Sequence, residues 1–357
     1  MNHRINLLRS SFDSLNIDAF LVTFTPHLRW ASGFTGSNGV GLVTNRNAYF
    51  VTDGRYEEQV KREIHGWTTA IARDYNIYEL INKKRWFRPG IRIGFDGNTV
   101  TLSHYHELKK KFPKVFFRPR AEVMEKLIVS KDEGEIACIK QAVEITDKVF
   151  ADILPLIKPG VVEADIAAEI TYRHRRYGAD SDAFESIVAS GANSALPHAR
   201  ASSKKIKKGE MVTLDFGCVF KGYHSDMTRT VAAGKPSNEM RKVYQIVLDA
   251  QRKAIEAAHV GMKVFDLDAV ARDYIKQKGY GKFFNHSLGH GIGLQIHEPP
   301  KISWTNKTAI LQEGCVVTIE PGVYLPELGG VRIEDDIVIR NGQTEVLTTS
   351  PKELIVL

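Results

Sequence analysis

Cysteine is scarce, with three residues in a chain of 357. Cys138, Cys218 and Cys315 lie far apart and form no CxxC pair. An odd, scattered set cannot build a disulfide framework, and it suits a reducing compartment. Long apolar runs are missing too: none approaches the roughly 18 residues of a membrane span. The opening residues, Met1-Asn2-His3-Arg4-Ile5-Asn6, lack the continuous apolar stretch of a secretory signal. The expectation is a cytoplasmic protein with no membrane partner.

Charge of one sign is in short supply as well. Lys plus Arg number 49 and Asp plus Glu 42, leaving +7. The basic runs, Lys109-Lys110-Lys111 and Lys204-Lys205 with Lys207-Lys208, read as solvated faces or turns, without aromatic residues to stack bases. No nucleic-acid partner is expected. Several familiar motifs fail on context. Asp215-Phe216-Gly217 spells a kinase triplet, but no HRD loop accompanies it. Gly289-His290-Gly291-Ile292-Gly293 lacks the strand–GxGxxG–helix setting of a nucleotide loop. His297-Glu298 has no second histidine at the helical spacing of a zincin, and no GxSxG elbow occurs.

What remains is ordinary globular composition, 43% hydrophobic and 25% charged. At roughly 150 residues per domain the length suggests two domains. The first third alternates strand and helix signals: strands at 18–24 and 91–95, a hairpin pairing 40–44 with 48–52, and helices at 55–64, 75–87 and 102–111. That order implies an α/β sheet covered by helices. The chain turns Pro- and Arg-rich near 113–120, placing the domains at 1–122 and 123–357. A second α/β (α+β) unit then opens on a long helix running to about 157. Ser130 and Glu133 have the spacing of its capping box. Further helices are expected after Val162 and at 238–258 and 264–278, with strands at 211–216, 226–231, 315–319 and 331–339.

Acidic residues stand where a core should be. Asp215 ends the run Met211-Val212-Thr213-Leu214, Glu320 ends Val316-Val317-Thr318-Ile319, and Glu334 follows Gly330-Val331-Arg332-Ile333. Asp226 sits in His224-Ser225-Asp226-Met227-Thr228, and His290 stands between glycines. Taken singly, each reads as a turn former, a surface charge or a loop residue. Together they pose an electrostatic problem, because two carboxylates about 4 Å apart repel by roughly 4 kcal/mol at an effective dielectric near 20. A buried group of four needs protons or cations. Four carboxylates with one imidazole suit Mn, Co, Zn or Fe(II) rather than Cu(I) or an iron–sulfur centre.

The ordered segments DFG…HSDMTRT, SLGHGIGLQIHEPP, TIEPGVY and GGVRIEDD resemble the pita-bread (M24) metallopeptidases, which include methionine aminopeptidase, aminopeptidase P and prolidase. The likeness spans roughly 130 to the C-terminus. Gly33-Phe34-Thr35-Gly36-Ser37-Asn38-Gly39 and Thr52-Asp53-Gly54-Arg55-Tyr56 resemble the creatinase/prolidase N-terminal domain, absent from the simpler methionine aminopeptidases. The resemblance implies a pita-bread catalytic domain with two divalent metal ions, Mn2+ first and Co2+, Zn2+ or Fe2+ as others. By position it makes Asp215, Asp226, His290, Glu320 and Glu334 their ligands, Asp226 and Glu334 bridging. His198 falls near the substrate, His297 stabilises the tetrahedral intermediate, and Arg332 supports the ligands. Glu320 also carries the proton from water to the leaving nitrogen. His224 is left as a structural neighbour. The implied substrates are short proline-containing peptides, cut at the Xaa-Pro bond. The compact length favours a prolidase over an aminopeptidase P. A metal-free binding module of the same fold is the reading from another class, and it is disfavoured because all five ligand positions are intact. A homodimer is implied as well. Arg332 or Lys301 is expected to pair with the carboxylate of a C-terminal proline.

Overall fold

The computed structural model describes residues 2–74 and 76–357. Contacts divide the chain between Ile128 and Val129. The helix Val123–Ile128 therefore stays with the N-terminal unit, beyond the expected 122/123 division.

The N-terminal unit is built on six strands: β1 (Ala19–Val22), β2 (Val40–Thr44), β3 (Ala48–Asp53), β4 (Thr68–Ala72), β5 (Arg92–Asp96) and β6 (Phe116–Arg120). Their order is β4-β3-β2-β1-β5-β6. β2 pairs antiparallel with β1 and β3, whereas β4, β5 and β6 run parallel to their inner neighbours. Every residue of β1 is buried, which requires cover on both faces of the sheet. Ile77, Ile81, Phe87, Leu108 and Phe112 supply part of that cover. The helix expected at 75–87 forms as Ile77–Lys83; Tyr75 lies outside the described residues. Asn76 caps it by accepting from the Glu79 amide at 3.1 Å. Arg85, at φ 57°, turns the chain out of helical conformation soon after it.

In the C-terminal unit the long helix Glu133–Ile153 is capped two residues later than the sequence suggests. Asp132 and Glu135 form the capping box, with reciprocal bonds of 2.9 and 3.0 Å. Ser130 is unavailable for the role because it sits in a β-bridge with Cys315 and donates its hydroxyl to the Glu313 carbonyl. A 3-10 turn at Leu154–Leu156 ends the run before 157, where Pro155 offers no amide to continue it. Two further helices, Asn238–Ala257 and Val264–Gln277, pack on one core, and Glu163–Arg176 helps to close another.

The strands of this unit are β7 (Ser181–Asp182), β8 (Ile187–Ser190), β9 (Met211–Phe216), β10 (Cys218–Phe220), β11 (Tyr223–His224), β12 (Met227–Ala232), β13 (Gly289–Gly291), β14 (Glu298–Ile302), β15 (Val316–Ile319), β16 (Gly322–Leu325), β17 (Gly329–Arg332), β18 (Asp335–Arg340) and β19 (Gln343–Val346). They form the sheets β12-β9-β8, β11-β10-β7 and β14-β13-β15-β18-β19, with a β16-β17 hairpin. The strand expected over 331–339 is two strands, and Ile333-Glu334 lies in the break between them. Among the described residues, no helix is long and apolar enough to cross a membrane.

Candidate metal centre

Asp215 and Asp226 are eleven positions apart yet reach the same end of one ladder. β9 and β12 pair antiparallel, setting Asp215 opposite Thr228 and Phe216 opposite Met227. Asp226 therefore follows directly beyond the last pair. The excursion between them is the tight β10–β11 ribbon, turned by Lys221 (φ 47°) and Gly222 (φ 75°).

Glu320 and Glu334 come from the neighbouring sheet. β15 pairs with β18 so that Ile319 faces Asp335, placing Glu320 and Glu334 just past the same end of that ladder. The Glu334 amide donates to the Thr228 carbonyl at 3.0 Å, which ties this ladder to β12. His290 lies on β13, against β15. A side chain on Gly289 would stand 2.0 Å from the Thr318 carbonyl oxygen, and one on Gly291 2.2 Å from that of Pro299. The glycines flanking His290 are thus required by the close approach of the strands on either side.

Ligand atoms of Asp226, His290 and Glu334 lie within 4.8 Å of one another. His290 Nε2 stands 3.6 Å from Asp226 Oδ2 and 3.8 Å from Glu320 Oε1. Asp215, Asp226 and Glu334 are 8%, 6% and 1% exposed, far below the usual accessibility of carboxylates. Asp215 Oδ1, Asp226 Oδ1 and Glu334 Oε1 are buried and accept no hydrogen bond among the described residues. Burial, followed by the charges of Asp215, Asp336 and Glu320, pushes Asp226 well above the usual carboxylate range. Glu334 is raised in the same way, by burial and then by Asp226 and Glu320. Glu320 is pushed up to about 7 by burial, against the opposing pull of His290 and Arg332. Such a group holds negative charge only at high cost unless a cation neutralises it. The orphaned oxygens and the convergent imidazole are therefore a donor set that fits divalent metal.

Arg332 lies at the end of β17 and is 4% exposed. It donates to Asp215 Oδ2, to Thr228 Oγ1 at 3.1 Å, to the Pro197 carbonyl at 3.2 Å and to the Tyr324 hydroxyl at 2.7 Å. A guanidinium so committed holds the carboxylate end of β9, and this corrects the expectation that Arg332 meets a substrate carboxylate. His198 follows Pro197 and is exposed, like His297. The His297 and His290 rings meet edge to face, 4.3 Å between centroids. Desolvation, then the His290 and His198 imidazoles, hold the His297 pKa down to about 4. His224 is structural: its amide and Nδ1 both lie against the Gly293 carbonyl, at 2.8 and 3.0 Å.

Sequence reasoning missed three supporting side chains. Thr228 donates to Glu334 Oε2 at 2.6 Å while accepting from Arg332. Asp336 accepts from the Asp226 amide at 2.9 Å. Tyr324 joins Arg332 to His286 Nε2, 2.8 Å away. For Thr228 a signal existed, since it shares the alternating face of Asp226 in the segment SDMT. Tyr324 gave none, being an ordinary apolar hairpin residue by pattern.

Comparison with known proteins agrees with this geometry. Residues 137–341 match the Metallopeptidase family M24, and residues 4–127 match the Creatinase/Prolidase N-terminal domain. The chain is 37% identical to the Xaa-Pro dipeptidase of Pyrococcus horikoshii, over 99% of each sequence. Its structure superposes on that of a Xaa-Pro dipeptidase from Bacillus anthracis with a TM-score of 0.96 and 43% identity, covering 99% of each chain. An X-Pro aminopeptidase from Thermotoga maritima gives a TM-score of 0.91 and 38% identity, covering 98% of this chain and 100% of that one. The chain belongs to metallopeptidase family M24, a family of divalent-metal enzymes, and carries a creatinase/prolidase N-terminal domain.

Proposed function

We propose that the protein hydrolyses the Xaa-Pro bond at the N-terminus of short peptides, with dipeptides as its preferred substrates. The observation that carries this reading is end-to-end likeness to Xaa-Pro dipeptidases around a buried cluster of Asp226, His290 and Glu334. Asp215, Asp226, His290, Glu320 and Glu334 would hold two divalent ions, Mn2+ being the proposed physiological pair. Bound there, the ions supply Lewis-acid polarisation of the scissile carbonyl and acidify water.

The chain's own residues do the rest. Glu320 accepts the proton of the attacking water and returns it to the leaving nitrogen. That nitrogen belongs to proline, so it has no hydrogen to offer a strand-like binding groove, and the ring fixes φ near −65°. Recognition must then come from a pocket around the ring. His297, neutral in this setting, donates to the oxyanion as charge develops on it. His198 lines the approach. Arg332 and Thr228 keep Asp215 and Glu334 in place.

The likeness to an X-Pro aminopeptidase keeps cleavage of longer peptides as the second reading. Rates on Xaa-Pro and Xaa-Pro-Xaa peptides with added Mn2+ separate the two. Faster dipeptide cleavage supports the proposal, and faster tripeptide cleavage replaces it with the second reading. We further propose a cytoplasmic homodimer. The scarcity of cysteine is in keeping with that compartment, and sedimentation at micromolar concentration tests the assembly.

A further inference from the structure

We propose a second divalent-cation site, wholly within the N-terminal unit and built from His27, Asp96 and Glu125. His27 stands in the first turn of the helix Thr25–Ser32, Asp96 ends β5, and Glu125 lies on the helix Val123–Ile128. Three segments remote in sequence thus deliver an imidazole and two carboxylates to one point. One ligand atom from each lies within 4.8 Å of the others.

Burial makes the arrangement expensive without a cation. His27 is 2% exposed and Asp96 4%. Asn98 holds one oxygen of each carboxylate: its amide donates to Asp96 Oδ1 at 2.9 Å, and its side chain to Glu125 Oε1 at 3.3 Å. The other oxygens, Asp96 Oδ2 and Glu125 Oε2, are buried and accept no hydrogen bond among the described residues. His27 Nδ1 stands 3.4 Å from Asp96 Oδ2. A buried carboxylate oxygen that accepts no hydrogen bond costs more than one that does, because its lost water is not fully replaced. A protonated His27 would balance one of the two negative charges. A divalent ion balances both, and one nitrogen with two oxygens is a donor set that zinc, manganese and iron accept. The role that follows is structural: the ion clamps the last helix of the unit to the sheet.

The test uses the full-length protein and Zn2+ as the probe. Wild type, Glu125→Gln and Asp96→Asn are dialysed against Zn2+, desalted and assayed by mass spectrometry, and wild-type crystals are mapped at the zinc edge. The proposal expects each variant to lose one equivalent relative to wild type, with an anomalous peak among the three side chains. Peptide hydrolysis by Glu125→Gln should stay at the wild-type rate. Unchanged stoichiometry in Glu125→Gln, or no peak at this position, overturns the site and leaves a buried imidazolium–carboxylate pair. If Asp96→Asn does not fold, Glu125→Gln and the anomalous map decide the question without it.

Discussion

Lys131 Nζ donates to Glu298 Oε2 at 2.8 Å, with both side chains almost wholly out of solvent. Glu298 follows His297 directly, and its other oxygen accepts the Gln295 amide at 3.0 Å. The loop that presents His297 is therefore hung on one buried ion pair. Removing a single partner strands the other charge, which typically costs about 3–5 kcal/mol, whereas replacing both with apolar groups can be nearly neutral. Lys131→Met should lower stability by about that amount in urea unfolding. Lys131→Met/Glu298→Leu should recover most of it while kcat stays low, because the loop has lost its anchor. A single variant as stable as wild type would show that the pair does not hold the loop.

The carboxylate cluster makes an unusual prediction for the metal-free protein. Asp226→Asn removes one of several charges that burial and mutual repulsion destabilise. After chelation, this variant should melt at or above the wild-type temperature. Adding Mn2+ should then raise only the wild type, by about 4 kcal/mol at a thousand times the dissociation constant. Thermal melts with and without Mn2+ read both effects. An equal Mn2+ response in the two proteins would remove Asp226 from the metal site.

His297 should separate from the ligands by its kinetics. Its proposed donation is made to charge that exists only in the transition state, so its loss belongs in kcat. His297→Ala is expected to lower kcat by roughly 10²- to 10³-fold, the usual effect of losing one oxyanion donor. Metal content should not change. A collapse in stoichiometry would instead make His297 a ligand or a fold residue.

How much of this was legible beforehand depends on the kind of interaction. Periodicity and turn chemistry located β2, β3 and β9 and the helix Leu102–Lys111 almost residue for residue, because those signals are local. The capping box slipped by two positions, since Ser130-Lys131-Asp132-Glu133-Gly134-Glu135 carries two overlapping copies of the pattern. Only the partner strand around Cys315, distant in sequence, decides between them. The acidic residues stood out as charges in apolar runs, but what surrounds them did not. That Arg332 is enclosed by Asp215, Thr228, Tyr324 and Pro197 follows from how β9, β12 and β17 meet, which no single segment encodes. The cluster of His27, Asp96 and Glu125 was invisible for the same reason.

Acid should expose the contribution of Asp53. Its side chain is fully buried, and bonds from Arg55, then Asn38, hold its carboxyl well below the usual range despite burial. A lowered folded-state pKa adds stability above the unfolded value near 3.8 and loses it as pH falls toward the folded value. Asp53→Asn should therefore be less stable than wild type at pH 7, and the gap should narrow as pH drops from 4 toward 2. Urea midpoints across that range provide the check. A gap that stays constant with pH would mean that packing, not charge, is what Asp53 contributes.

Of the two basic residues expected to meet a substrate carboxylate, Lys301 is the one placed to do so. Arg332 is enclosed by its own partners, Asp215, Thr228, Tyr324 and the Pro197 carbonyl. Lys301, on β14 four residues after His297, is exposed, and its charge lies near enough to help hold the His297 pKa down. A dipeptide bound with its proline beside Lys301 would present a free carboxylate there; a longer peptide would present an amide instead. A charge-assisted bond contributes about 1.5–3 kcal/mol, or roughly 10- to 150-fold in kcat/KM. An exposed lysine should fall near the lower end, since water screens it. Lys301→Ala is therefore expected to cut kcat/KM for Xaa-Pro by about tenfold and to leave Xaa-Pro-Xaa nearly unchanged. Equal losses on both substrates would show that Lys301 acts through His297 or the loop, and the source of dipeptide preference would have to be sought in residues that narrow the mouth of the site.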